Sequence, residues 1–443
     1  MRIQLSEHFD YAKLIRFVLP SVVMMVFTSI YTVVDGLFVS NFVGKTPFAA
    51  INLIMPFLMG IAAMGFMFGT GGSALVAITL GEGRRERANQ YFSLIIYAAI
   101  VTGVVLGAVG FFAVGPIASA MGATGSMLDD CILYGRILLV FQPTYMLQIA
   151  FQSFFVTAEK PRLGLWFTVG AGMTNIVLDA LFVAVFRWGL AGAAFATVMS
   201  QVVGGGLPLL YFARKNDSLL RLTRTPFTPR ALLRACANGS SELMTNLSSS
   251  VVNTLYNLQL MELAGEDGVA AYGVLMYINF IFNAIFFGYA IGSAPVISYQ
   301  YGAGNTDELR GLFRKSLTLT ALCALALTAL AETLSHPLSV LFVGYDPALS
   351  EMTYHGFRIY ALAFLFCGFN IFGSAFFTAL GNGGVSAAIS FLRTLVFQVA
   401  AILLLPFLLG LDGVWLAIVA AELCALLVTL AFFFLCRNRY QYI

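Results

Sequence analysis

Apolar runs of about 20 residues, each long enough to cross a hydrocarbon core, recur from one end of this chain to the other. A chain built this way has little surface to offer water. Of 443 residues, 60% are hydrophobic and 10% charged, against about 25% charged in a soluble domain. The chain reads as an all-α polytopic membrane protein. A membrane barrel would show alternating segments of about ten residues instead, and none is present.

A pass along the chain predicts twelve spans, near 14–39, 48–79, 91–113, 131–157, 162–186, 189–213, 232–263, 269–300, 313–334, 353–380, 384–408 and 411–436. The first is too long for a signal-peptide core, and no small-residue cleavage pattern follows it. No cleavable leader is expected. Arg2, Lys13 and Arg16 precede span one, Arg84, Arg85 and Arg87 follow span two, and Lys160 and Arg162 follow span four. Basic residues crowd 214–234, Arg310, Arg314 and Lys315 follow span eight, and Arg437 and Arg439 end the chain. The opposite side holds Lys45 and Arg187, with Arg136 and Arg358 near the starts of their spans. The positive-inside rule puts both termini in the cytoplasm. The net charge of +3 is then a topology signal, and no nucleic-acid partner is expected.

The sequence repeats itself at an offset near 221. SFFVTA (153–158) lies over SAFFTA (374–379), and GLAGAAFA (189–196) over GLDGVWLA (410–417). GSALVAITLGEG from 72 lies over GSAPVISYQYGAG from 292, and Gly44 over Gly265. Six spans per half is an even number, so both halves start on one side. The prediction is two parallel six-helix bundles related by a pseudo-twofold axis along the membrane normal. They comprise residues 1–213 and 231–443, joined by a basic, proline-bearing linker at 214–230. A cleft between such bundles permits alternating access.

Ionisable residues inside spans cost about 2.5–3.5 kcal/mol each on insertion scales and invite a functional reading. The deep ones are Asp35, Asp179, Glu242, Arg393 and Glu422. At 1.5 Å per residue, Asp35, Asp179 and Thr197 all fall about 9–13 Å below the outer boundary. Asn175 and Asp179 are i and i+4 on one helix face, as are Ala193 and Thr197. These oxygens can surround a small cation. The two carboxylates can equally share a proton, since burial and a nearby like charge both favour protonation. The positions 221 later are Tyr256, Val396, Ala400, Val414 and Ile418, so the second half lacks the cluster. Glu242, in NGSSELMTNLSSS, suits a second proton site, a counter-charge for a cationic substrate, or a hydrogen bond within its own helix. Arg393 and Glu422, at similar depths in spans eleven and twelve, are read as a structural ion pair. Pro20 can be a hinge or a static bend. The six cysteines and three histidines show no metal or redox spacing, and no cofactor motif is present.

With Pro20 and Asp35 in span one, Asn175-x-x-x-Asp179 in span five, Ala193 and Thr197 in span six and Glu242 in span seven, the chain resembles the multidrug and toxic compound extrusion (MATE) family over nearly its full length. The resemblance implies a prokaryotic inner-membrane antiporter, a monomer among membrane lipid, with no cofactor beyond its coupling ion. It would export small organic substrates, lipophilic cations above all, against entering H⁺ or Na⁺. Asp35, Asn175, Asp179 and Thr197 would give the ion side-chain oxygens, and Ala193 a backbone carbonyl. Pro20 would bend span one as occupancy changes. Glu242 is similar to a second-bundle acid of some members. Others carry an aspartate in span ten, where this chain has GFNIFGSAFFTAL and no acid. Two other readings stand beside it. A flippase for lipid-linked oligosaccharide would want several deep basic residues. An intramembrane enzyme would use Asp35 and Asp179 as an acid/base pair; no enzyme activity is expected.

Overall fold

A computed structural model describes residues 3–443, less the side chains of Leu37, Ser40 and Lys45. Arg2 and the Lys45 side chain, both used above for topology, lie outside the described residues. The described residues form helices and no strands. In chain order these are α1 (Tyr11–Phe38), α2 (Lys45–Gly81), α3 (Arg85–Ala120), α4 (Gly125–Val140), α5 (Gln142–Thr157), α6 (Pro161–Asp179), α7 (Gly189–Gln201) and α8 (Leu207–Ala213). The second half holds α9 (Pro229–Gly302), α10 (Thr306–Val343), α11 (Pro347–Ala361), α12 (Phe364–Ala379), α13 (Gly383–Phe391), α14 (Phe397–Leu409) and α15 (Leu411–Tyr440).

Among the described residues, nine helical stretches are long and apolar enough to cross a membrane. The bent pairs α4–α5 (61°) and α11–α12 (48°) each add one span. The 74-residue α9 is two spans broken at Gly265, where φ is 63° and ψ −150°. Twelve spans result, in the two-bundle arrangement. Hydropathy alone showed spans four and ten as unbroken. In span four, Pro143 at the start of α5 lacks the N–H that would continue α4.

The duplication is written into the turns. Gly44 and Gly265, Gly83 and Gly304, and Gly189 and Gly410 all have positive φ, a conformation strained for residues with a Cβ. Each pair is one repeat offset apart. Four π-helical turns, by contrast, do not repeat. They occupy Val39–Val43, Ala180–Val185, Val202–Gly206 and Leu392–Val396. One follows Asp179 directly, one begins four residues after Asp35, and one contains Arg393. Such turns favour functional sites.

Both termini lie on one face, called the near face below: Arg310, at the start of α10, donates to the Gln441 carbonyl, and Phe9 N–H donates to Glu308. The bundles meet tightly in this half of the molecule. A Cβ on Gly239 would stand 2.1 Å from the Met67 carbonyl oxygen, and one on Gly71 2.0 Å from that of Ala235. Gly81 and Gly302 press on the Tyr299 and Ile78 carbonyls at 2.1 Å in the same way. Gly288 and Gly292 of α9 lie against Val18–Val22 of α1. Overpacking typically costs about 1–3 kcal/mol, so Gly239→Ala is expected to lower the thermal unfolding midpoint in detergent. Gly170→Ala, which faces open space, is expected to leave it unchanged.

Residues 214–228 are not a loose tether. Lys160 binds Asp217 at 2.5 Å, Arg85 donates to the Ser218 carbonyl at 3.2 Å, and Asn89 accepts from Arg221 N–H at 2.7 Å. These contacts lace the segment along α3 and α6.

The amino-terminal segment crosses between bundles. Leu5 N–H donates to Glu159 of the first bundle at 2.8 Å. Gln300 donates to the Leu5 carbonyl at 2.8 Å, Glu308 accepts from Phe9 N–H at 2.8 Å and meets His8 at 2.6 Å, and Lys315 donates to the Phe9 carbonyl. Leu5, Phe9, Leu14, Phe17 and Val18 are buried in one apolar cluster with Phe313, Phe372, Phe376 and Phe433 of the second bundle. Beyond Pro20, α1 turns to the first bundle, where Phe27 and Tyr31 pack on Gly172 of α6. Pro20 thus marks where α1 begins to gain first-bundle contacts, while Ser21, Val22 and Ser29 still touch α9.

Candidate functional site

Asp35 lies one turn before the end of α1, and Asp179 is the last residue of α6. The 3.6-residue period puts Asn175 one turn before Asp179 on the same face. The structure brings the three together: the Asp35 carboxylate is in reach of both Asn175 and Asp179. Asp179 is fully buried, Asn175 is 2% exposed, and Asp35 is half-buried. Thr197 of α7 donates to the Ala193 carbonyl at 3.0 Å. Tyr134 of α4 lies near Thr197 and both aspartates.

Four oxygens here have no hydrogen-bond partner in the protein: Asp35 Oδ1, Asn175 Oδ1, and Asp179 Oδ1 and Oδ2. All four are buried. Buried polar atoms are nearly always satisfied, and two touching carboxylates cannot both stay charged and bare. The set fits a shared proton. It also fits a small hard cation, which favours oxygen donors. Among the described residues no group of three or more His, Cys, Asp or Glu side chains is placed to hold a metal, so a cation here would draw on neutral oxygens as well.

Glu242 does not join this cluster. It is half-buried on α9, in the second bundle, where Arg393 is the charged group that acts on it. Its side chain makes no hydrogen bond or ion pair among the described residues. Arg393 donates through Nε to both Glu422 oxygens, at 2.8 and 3.0 Å. Asn370 donates to Glu422 at 2.7 Å, and Thr429 to Asn370 at 2.9 Å. Exposures of 11% for Arg393 and 2% for Glu422 place this network inside the second bundle. Pro20 lies in continuous helix, far along α1 from Asp35.

Sequence reasoning missed Tyr31, Tyr134, Gln148 and Gln201. Tyr31 lies one turn before Asp35 and near Gln148. Gln201 continues the Ala193–Thr197 stripe by one more turn. The i+4 spacing was the available signal for Tyr31 and Gln201.

The sequence profile of the MatE family matches residues 20–181 and again 243–403. The chain belongs to the MatE family. The two matches are themselves offset by about 222 residues, so the family unit is the repeat seen in the turns. The multidrug export protein MepA of Staphylococcus saprophyticus is 23% identical, over 96% of this chain and 94% of its own. MepA of Staphylococcus aureus is 22% identical, with the same coverage. Among solved structures, an outward-facing multidrug resistance MATE transporter superposes with a TM-score of 0.92 at 24% identity, covering 98% of both chains. A MATE crystal structure in complex with MaL6 gives 0.93 at 24% identity and the same coverage. A MOP superfamily transporter from Pyrococcus furiosus gives 0.91 at 24% identity, covering 98% of this chain and 97% of that one. These likenesses give this MatE chain a twelve-helix, two-bundle membrane fold.

Proposed function

We propose that this MatE-family protein is a secondary antiporter that exports lipophilic organic cations in exchange for H⁺ or Na⁺. The observation that carries the reading is the group of unpartnered buried oxygens on Asp35, Asn175 and Asp179; one repeat later stand Tyr256, Val396 and Ala400, with no carboxylate. The bundles are 1–213 and 231–443, joined by 214–230, and the near face is cytoplasmic. Their tight contact in that half supports an outward-facing resting form.

In this form H⁺ or Na⁺ enters at Asp35 and Asp179. Asp35, Asn175, Asp179 and Thr197 offer side-chain oxygens, and the Ala193 carbonyl is freed for the ion when the Thr197 hydroxyl turns away from it. Neutralising the pair changes the packing of α1 on α6 and releases substrate outward. Pro20 lets the two parts of α1 move with different bundles. The emptied carrier opens inward, loses the ion and reloads. Glu242 answers the positive charge of the substrate, and Arg393 with Glu422 is structural. A flippase for an anionic lipid-linked substrate would need free deep cations, whereas Arg393 is taken by Glu422.

The test uses purified protein in vesicles loaded with ethidium. Exchange driven by an imposed pH or Na⁺ gradient, and abolished when that gradient is collapsed, supports antiport. Ethidium movement indifferent to both gradients sinks it.

A further inference from the structure

The interior of the first bundle between the aspartate pair and the near face is largely apolar, with Phe92, Phe151, Phe154, Phe155 and Phe212 packed together, but a stripe of amides runs beside that core. Gln148, Gln152 and Gln201 form the stripe, at 5%, 8% and 4% exposure. Gln148 Oε1 and Gln201 Oε1 are buried and have no hydrogen-bond partner. A buried amide left bare is costly; in native structures such atoms are met by water or a ligand.

These amides connect to the site. Tyr31, one turn from Asp35, lies near Gln148. Gln201 follows Thr197 by one turn, and Gln152 follows Gln148 by one turn. Counting about 1.5 Å per residue from the near-face ends of α5, α6 and α8, Gln152 lies about 7 Å in, Gln148 about 13 Å, Gln201 about 18 Å and Asp179 about 27 Å. The rungs fill the gap. Local structure makes room for them: a Cβ on Gly204 would stand 2.7 Å from Gln148 Cδ. Gly204 belongs to the π-helical turn that starts directly after Gln201.

The repeat again supplies a control. The positions 221 after Gln148 and Gln201 are Phe369 and Glu422. Glu422 is fully bonded by Arg393 and Asn370. At the position that answers Gln201 the second bundle is satisfied, and the first is not; the second bundle has a bare oxygen instead at the Tyr256 hydroxyl, the position that answers Asp35.

Building on the antiport reading, we propose that the coupling ion passes from the Asp35/Asp179 pair to the near face through the first bundle, along Gln201, Gln148 and Gln152. The substrate uses the cleft between bundles. Water bridging the amides carries the ion, so ion and substrate leave the protein by separate routes. Asp35, half-buried, is the entry side of the pair, and Asp179, fully buried, the exit side.

Two measurements on the full chain test this. The first places single cysteines, Gln148→Cys and Gln201→Cys, in an otherwise cysteine-free protein in oriented vesicles. Silver ion, small enough for a water path, is added at the near face. Both thiols are expected to react at least tenfold faster than that of Ala150→Cys, a buried position on α5 off the amide stripe, because only water-lined positions admit a hydrated ion. Equal rates, or reaction only from the far face, overturn the path. The second compares Gln148→Met with Gln148→Asn. The methionine protein should lose about tenfold in ion-driven ethidium exchange, the scale of an outer-shell loss, and still bind ethidium within about twofold. The asparagine protein should keep most of the exchange. Equal loss in both, or loss of binding together with exchange, makes Gln148 a packing residue and overturns the proposal. The silver result does not depend on transport. Reactive thiols in the cysteine variants, alongside a wild type that exchanges ethidium for neither ion, would therefore refute antiport, and with it the ion in this path, while leaving the water column in place.

Discussion

The Asp35→Asn protein is expected to bind ethidium but not to concentrate it. Asparagine keeps the shape of the side chain and its reach to Asn175 and Asp179, but it is permanently neutral. It therefore imitates the loaded site and cannot discharge. One charge moving down 100 mV supplies about 2.3 kcal/mol, which sustains roughly a 50-fold gradient for one-to-one electrogenic exchange. That gradient should fall to about one in the variant. Asp179→Asn should do the same, and the double variant should be no worse, because residues that act on one ion are not additive. Equal accumulation by Asp35→Asn and wild type would make Asp35 a structural polar residue and remove the site.

Glu422→Ala is expected to produce the largest loss of stability. It strips the partner from Arg393, which is 11% exposed, and removes the side-chain acceptor of the Asn370 amide, which keeps only the backbone carbonyl at 422. Breaking one side of a buried ion pair costs about 3–5 kcal/mol, whereas replacing both members with apolar residues of similar volume is often neutral or better. The Arg393→Met/Glu422→Met protein should therefore recover most of the unfolding midpoint lost by Glu422→Ala. If the double variant is as stable as wild type and still transports ethidium, the pair serves the fold. If it is stable and inert, Arg393 and Glu422 belong to the transport cycle.

Much of the fold was legible because its main determinant is one-dimensional. Apolar runs set the spans, and the 221-residue offset set the bundles. The bend in span four was not legible, because hydropathy does not register the direction of a helix axis. The π-helical turns were equally hidden: their residues, as in VVGGG at 202–206, carry no pattern that separates them from ordinary helix. Of the site, Asp35, Asn175 and Asp179 stood out by charge and spacing, and the structure brings them into contact. Gln148 and Gln201 were passed over because a neutral amide carries a smaller burial penalty than a charge and so raises less suspicion. What gives them meaning is the lack of a partner, which only three dimensions can show. The closed near face was invisible for a related reason: Gly71 and Gly239 look alike as letters, and their mutual contact joins residues far apart in the chain.

The division of α1 between bundles has a consequence for how the chain is made. Leu5 and Phe9 emerge from the ribosome first, but their partners Gln300, Glu308 and Lys315 come about 300 residues later. At roughly 5–20 residues per second, the amino terminus waits some 15–60 s for the surface that buries it. Residues 1–228 made alone should keep this segment and the first turns of α1 exposed, and be cleared by proteolysis. Co-synthesis with residues 229–443 should rescue them. The first residues translated would then be among the last to reach their native places, and a completed second half becomes the condition for finishing the first.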